Sequence, residues 1–154
     1  MRDWKRRTKE VSIDNLPPGT RESIQQHIEQ YNLGPILSDV LMCVQTDSEK
    51  AKKGLFGKAE TVQMTAIVTP RWLLWAIDQP DKNPSVLSAQ LTHITVQDYS
   101  QTPFAKMVPD SGVEVSGMFT DASEAASAFI GLDESATGQT FRQTLIRAAA
   151  DAKK

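Results

Sequence analysis

Several features that would indicate a specialised class of protein are scarce or missing in this sequence of 154 residues. It contains a single cysteine, Cys43, so no disulfide can form within the chain. No apolar run approaches the roughly 20 residues that a membrane-spanning helix needs. The net charge of −2 at pH 7 disfavours a general nucleic-acid binder, because such proteins usually carry a basic excess. With 40% hydrophobic and 23% charged residues, the composition is typical of one globular domain.

The first residues also lack the apolar core of a secretory signal, since residues 1–7 are mainly charged. We therefore expect a cytoplasmic protein. Cys43 lies inside the apolar run of residues 40–44, which favours a buried structural thiol over a reactive one.

Signals of catalysis are equally scarce. Nucleophilic chemistry needs a hydroxyl or thiol beside an oriented base, and His27 and His93 are the two imidazoles of the chain. Neither histidine lies in a recognisable motif, and His27 beside an apolar helix face is typical of a partly buried, hydrogen-bonded residue. The sequence has no clustered metal ligands, and Lys58 is not followed by the Ser or Thr of a phosphate-binding loop. We expect no catalytic residue, no metal site and no cofactor.

The chain divides into three predicted parts. Residues 1–18 form a basic arm, which contains five cations and Trp4. Residues 19–34 form an N-terminal helix capped by Thr20, and residues 35–154 form the main domain. The arm has two interpretations: a segment that binds a membrane surface or a partner, or a solvated tail whose Trp4 packs back onto the domain.

Short apolar runs rich in β-branched residues alternate with turn signals between residues 37 and 132, which predicts about seven antiparallel strands. These strands are predicted at residues 37–46, 61–69, 72–77, 86–91, 94–99, 113–119 and 126–132. A helix is predicted at residues 135–152, with Phe141 and Leu145 in its apolar stripe and Arg142 facing water. We therefore expect a mainly β (α+β) fold: a partly open barrel with a C-terminal capping helix and an extra N-terminal helix.

This order of elements resembles the pleckstrin-homology-like superfamily, and most closely its small bacterial and GRAM-like members. The residues that carry the resemblance are the hairpin loop 52–57, the turn Thr69-Pro70-Arg71 with residues 72–75 behind it, the segment 91–96 and the C-terminal helix. It covers about residues 37–152. The superfamily binds lipids, phosphopeptides and proteins, so the resemblance implies a binding module without choosing its ligand.

Two surfaces are candidates for binding. The first is basic and suits phosphate groups or anionic lipid; it consists of Lys50, Lys52, Lys53 and Lys58 in the hairpin, with Arg6, Arg7 and Trp4 in the arm. The second strand carries Glu60 and no arginine, which departs from lipid-binding pleckstrin-homology domains. The hairpin therefore has a second interpretation, as a solvated loop that folds Leu55 and Phe56 onto the barrel.

The second surface is apolar: the loop of residues 100–112 carries Phe104, Met107 and Val108, which either form a contact surface or tuck under the sheet. Residues 61–67, including Met64, have neither charge nor proline, so an exposed edge there would favour a homo-oligomer. The homo-oligomer would use this edge or the loop of residues 104–108, unless the N-terminal helix covers the edge and the chain stays monomeric.

From these patterns we expect a non-catalytic binding or scaffolding module, with a protein partner or a second copy of the chain as its ligand. The alternatives are peripheral binding to anionic membrane lipids through the basic residues, and an enzyme. Nucleic acid is not expected as a partner, and the chain is not expected to be transmembrane.

Overall fold

The computed structural model describes residues 4–50 and 59–154, which form two helices and eight strands in two antiparallel sheets. The first sheet has five strands in the order of the sequence: β1 (Trp4–Glu10), β2 (Met42–Lys50), β3 (Glu60–Val68), β4 (Trp72–Asp78) and β5 (Ser85–Gln90). The second sheet has three: β6 (Ile94–Asp98), β7 (Gly112–Gly117) and β8 (Ala126–Gly131). Helix α1 spans Pro18–Gln30 and helix α2 spans Ala136–Ala152.

The α+β class with a C-terminal helix is therefore confirmed, and the described residues form no closed barrel. The segment expected to be an arm is, over Trp4–Glu10, the edge strand β1, paired along its length with β2. The alternation of apolar and polar residues that marks a strand is absent from this sequence, because charged residues occupy most positions. In the structure Trp4, Arg6 and Thr8 share the more buried side of the strand.

Helix α1 begins earlier than expected. Pro18 occupies its first turn, where the missing N–H costs nothing, and Thr20 lies inside the helix instead of capping it. The helix ends at Gln30, and Asn32 and Gly34 then adopt positive φ angles of 54° and 75°, as the predicted stop signal requires.

Strand β3 is not a sheet edge. It lies between β2 and β4 and is hydrogen-bonded to both, and its Met64 is half-buried against the core. The expectation that residues 61–67 form an exposed sheet edge is therefore wrong, since the backbone of residues 63–67 is paired on both sides. Helix α1 packs on the outer face of the sheet instead of along that edge.

Two apolar clusters cover the two faces of the five-stranded sheet. The inner core lies between the two sheets and α2, and it contains Trp75, Phe119 and Phe141. The rings of Trp75 and Phe119 meet edge to face with centroids 5.2 Å apart. The outer core lies under α1, where Ile24 and Ile28 meet Cys43 and Leu74 of the sheet. Alternation along each strand sends neighbouring side chains to these two cores in turn.

Candidate functional site

The most exposed apolar residues of the described chain lie together on one loop between β6 and β7. This tip, residues 103–108, consists of the 3-10 turn Pro103–Lys106 followed by Met107 and Val108. The side chains of Phe104, Met107 and Val108 are 59%, 80% and 60% exposed. Of the two interpretations open from the sequence, the structure therefore excludes the one in which they tuck under the sheet.

Hydrogen bonds give the tip a defined shape despite its exposure. The Tyr99 hydroxyl donates to the carbonyl oxygens of Val108 and Phe104, and the Val108 N–H donates to the Phe104 carbonyl at 2.8 Å. Before the tip, the Asp98 carboxylate accepts hydrogen bonds from the backbone and side chain of Ser100. A loop held in one shape loses less conformational entropy when it binds.

A row of aromatic rings and cations, which we call the aromatic row, leads from the tip to β1 and β2. Tyr99 packs edge to face on Phe129, with ring centroids 5.1 Å apart. The Arg6 guanidinium lies 5.3 Å from the Phe129 centroid and 5.2 Å from that of Trp4, and the Lys50 amine lies 5.8 Å from the Trp4 centroid. The structure thus joins Trp4, Arg6 and Lys50, expected in the basic surface, to the apolar loop.

Within this aromatic row, Arg6 is paired and is not free to bind a phosphate. Its Nε and Nη2 donate to the two carboxylate oxygens of Asp110 at 2.8 and 2.7 Å, and its Nη1 donates to the Ser48 hydroxyl at 2.7 Å. A bidentate Arg–carboxylate pair of this kind is stronger and more specific than a single hydrogen bond.

The other predicted cations are dispersed. Exposed Arg7 lies opposite Asp47 in the β1–β2 ladder, as Lys5 lies opposite Glu49. These residues line an open depression of about 660 Å³ in which both signs of charge are mixed. Lys52, Lys53 and Lys58 lie outside the described residues. The described part of the basic surface therefore does not converge on one anion site.

A second polar cluster, which we call the polar seam, joins β1 to the start of α2. The Thr8 N–H donates to the Asp133 carboxylate at 2.7 Å, and the Asp133 N–H donates to the Thr8 hydroxyl at 2.9 Å. Arg142, expected to face water, is 4% exposed, and its guanidinium donates to Ser111 and to the carbonyls of Leu132 and Asp133. Among the described residues β1 and β8 form no backbone ladder with each other. These side-chain hydrogen bonds connect β1 to the chain that follows β8.

The hydrogen bonds of the seam favour the charged form of Asp133. Burial raises the pKa of this carboxyl, but hydrogen bonds from Ser135 and Thr8 outweigh that effect and hold the pKa below its ordinary value of 3.8. Ser135 in turn caps α2, since its hydroxyl accepts the Gly138 N–H.

The described residue pair most similar to a catalytic arrangement is buried. His27 of α1 and Ser88 of β5 share a hydrogen bond of 2.7 Å, and Ser88 shares another of 2.6 Å with Thr120. Ser88 is 0% exposed, so a substrate could not reach its hydroxyl without displacing α1. Burial lowers the pKa of His27 below 6.5, and the Asp121 carboxylate opposes that shift. The arrangement fits a hydrogen-bonded core histidine, as the helix pattern indicates.

The remaining candidate groups do not converge. His93 is exposed at the end of a 3-10 turn, and the described residues include no group of three or more His, Cys, Asp or Glu positioned to hold a metal ion. Cys43 is buried, and burial raises the pKa of its thiol to about 12, so the thiolate is scarce at neutral pH. Across residues 4–50 and 59–154, each helix is too short or too polar to cross a membrane.

Sequence reasoning missed the residues that organise this surface, namely Tyr99, Phe129 and Asp110. Gly131 gave a weak signal: it is a glycine inside a strand, and a Cβ there would collide with the Arg6 guanidinium. In comparisons with protein-family models, with curated proteins and with solved structures, nothing matches this chain.

Proposed function

We propose that this chain is a non-catalytic binding module that docks onto a protein partner through the tip. The observation that carries this proposal is the set of three large apolar side chains, exposed together on a loop with a defined shape. Contiguous apolar surface on a monomer is typical of an interaction site, whereas scattered single residues are not. A loop held by Tyr99 presents these side chains without a large ordering cost on binding.

The charges near the tip favour a protein over an anionic membrane. Lys106 is the one charged residue within the tip sequence. Each cation near an anionic bilayer contributes about 1 kcal/mol, so stable attachment needs several. Arg6 is paired with Asp110, and Arg7 lies on β1 opposite Asp47, so neither adds a free cation to the tip. A single lysine among apolar groups instead suits an apolar pocket with a carboxylate at its rim.

Copurification from native cells tests this proposal. The chain is compared with a variant in which Phe104, Met107 and Val108 are all replaced by serine. The matched control is Ile146→Ser on α2, which also removes an apolar side chain that is 40% exposed. We expect at least one protein to be retained equally by the wild type and the control and to be reduced about tenfold or more by the tip variant. Equal retention by all three chains would contradict the proposal.

Two further measurements distinguish the other occupants of the tip. Sedimentation with anionic and with neutral vesicles at two salt concentrations detects a membrane ligand. If the wild type sediments with vesicles and the tip variant does not, the ligand of the tip is lipid and not a protein. Light scattering at high micromolar concentration detects a second copy, since a monomer has the chain mass of 17.0 kDa. A larger mass that the tip variant abolishes would identify a second copy of the chain as the partner.

We also propose that the fold is pleckstrin-homology-like. The support for this is the five-stranded sheet facing a three-stranded sheet, with α2 packed into the inner core through Phe141 and Leu145. Strand β1 and helix α1 precede the segment that carries the resemblance, and they are additions to it. An experimental structure that places α2 outside the two sheets would refute the assignment. The fold alone does not identify the ligand.

A further inference from the structure

The tip is attached to the rest of the molecule at both of its ends, and the two attachments differ. At the first end the hydrogen bonds are local, through Tyr99 and the capping residue Asp98, and the Asp98 carboxylate also pairs with Arg142 of α2 at 3.5 Å. At the second end the chain passes through Pro109 to Asp110, whose carboxylate receives Arg6 from a position 104 residues earlier. Of the side-chain hydrogen bonds described for residues 99–110, only this pair comes from the five-stranded sheet.

Arg6 is itself held firmly, so it can impose a position on Asp110. Ser48 accepts its third hydrogen bond, and the rings of Trp4 and Phe129 lie within 5.3 Å of the guanidinium. The backbone of Gly131 closes the remaining side, where even a methyl group would collide with the guanidinium. Both partners are largely buried, with 11% and 15% of their side chains exposed, so solvent screens the pair only weakly.

We propose that Arg6 is a positioning residue for the tip: the N-terminal strand, through the Arg6–Asp110 pair, holds the apolar loop in the shape that binds. This inference rests on the proposed binding role of the tip, and it adds that the strand controls that role. When the pair is broken, the second end of the loop is released as far as Ser111, which Leu132 and Arg142 still hold, and a partner must then supply the cost of ordering the freed residues. Loss of the pair therefore weakens binding although no contacting side chain has changed.

Trypsin reports the order of the tip without any partner, because Lys106 is an exposed cleavage site inside it. Cleavage in a native loop follows the population of its open form. Two other sites in the same molecule serve as references: exposed Lys82 reports protease activity, and buried Arg142 reports global unfolding. The fragments from each site are quantified by mass spectrometry over time.

Three variants break the pair in different ways. Arg6→Gln and Asp110→Asn remove one charge each, whereas Gly131→Ala displaces the guanidinium and leaves both charges in place. Gly19→Ala is the matched control, since a Cβ there meets nothing within 4 Å. We expect each of the three variants to raise cleavage after Lys106 about tenfold relative to Lys82, which corresponds to about 1.4 kcal/mol. The control and the cleavage after Arg142 should stay unchanged.

A double variant separates positioning from a general loss of stability. If the two residues act as one unit, Arg6→Gln with Asp110→Asn should open the tip no further than either change alone. Additive effects, cleavage that rises equally after Arg142, or an unchanged rate after Lys106 would each overturn the inference. These outcomes are independent of the copurification. If a protein copurifies through the tip but the Arg6 variants do not change cleavage after Lys106, the proposed function stands and the positioning role fails. If the Arg6 variants raise that cleavage but no protein copurifies through the tip, the positioning role stands and the proposed function fails.

Discussion

The inner core and the polar seam join the same parts of the molecule by opposite kinds of contact. In the inner core, Phe141 and Leu145 of α2 are fully buried among apolar side chains from both sheets. In the polar seam, Arg142 of the same helix is almost as buried, but its contacts are carbonyl, hydroxyl and carboxylate oxygens, the last from Asp98. Apolar burial is additive and tolerant of exact position, whereas a buried polar group is costly unless each partner is in place.

The largest expected effect is in the inner core. Phe141→Ala removes a ring that is 0% exposed, and we expect the free energy of unfolding to fall by about 3–5 kcal/mol through lost burial and the cavity left behind. Urea unfolding measures this change. Ile146→Ala on the same helix is the control, and it should change stability by about 0.5 kcal/mol or less because that side chain is partly in solvent. A loss below about 1 kcal/mol for Phe141→Ala would mean that α2 is not docked as described.

The next effect tests whether the polar seam needs its partners. Arg142→Met keeps much of the buried volume but removes the donors to Ser111, Leu132 and Asp133. It also removes the positive charge that pairs with Asp98. We expect a loss of about 2–3 kcal/mol, because buried acceptors without a donor incur their full desolvation cost. Arg147→Met, on an exposed position of α2, is the matched control and should be nearly neutral. A neutral Arg142→Met variant would show that apolar packing alone joins these elements.

The contrast explains which parts of the fold were predictable from the sequence. Strands β3 to β8 and helix α2 were recognised because their apolar residues follow the period of their own element. Strand β2 was recognised in part, since it was predicted at residues 37–46 and spans Met42–Lys50. Strand β1 was missed because charged residues fill most of its positions. The residues that bury Arg6, namely Asp110, Ser48 and Phe129, are distant in sequence. Arg142 was assigned to solvent for the same reason: helix periodicity identifies a face but not a polar partner on another element.

The candidate site was predictable to a similar extent. Phe104, Met107 and Val108 stood out because a long loop with large apolar residues is unusual. The residues that support them did not stand out, because Tyr99 and Asp110 are ordinary loop residues until the fold brings Phe129 and Arg6 beside them. Met64 was misassigned, since a strand without charges is typical of a central strand as well as of an unprotected edge.

A third prediction concerns the outer core, where His27 of α1 shares a hydrogen bond with Ser88 of the sheet among apolar side chains. Burial lowers the pKa of His27, so the unfolded chain takes up a proton near pH 6.5 while the folded chain resists it. Stability should therefore fall as the pH decreases from about 6.5 towards the lower pKa of the folded state. His27→Gln, which keeps a polar side chain but does not titrate, should remove this dependence in urea unfolding measured between pH 7 and pH 5. An unchanged slope would mean that other groups cause it.

The smallest expected effect on stability is at the tip, which belongs to neither the inner core nor the polar seam. Met107→Ser removes an apolar side chain that is 80% exposed, so it loses little burial and leaves no cavity. We expect a change within about 0.5 kcal/mol in the free energy of unfolding. A residue that contributes so little to folding and yet is needed for partner retention would have its role in binding. A loss above about 1 kcal/mol would instead show that Met107 packs on the domain, and it would remove the main support for the tip as a docking surface.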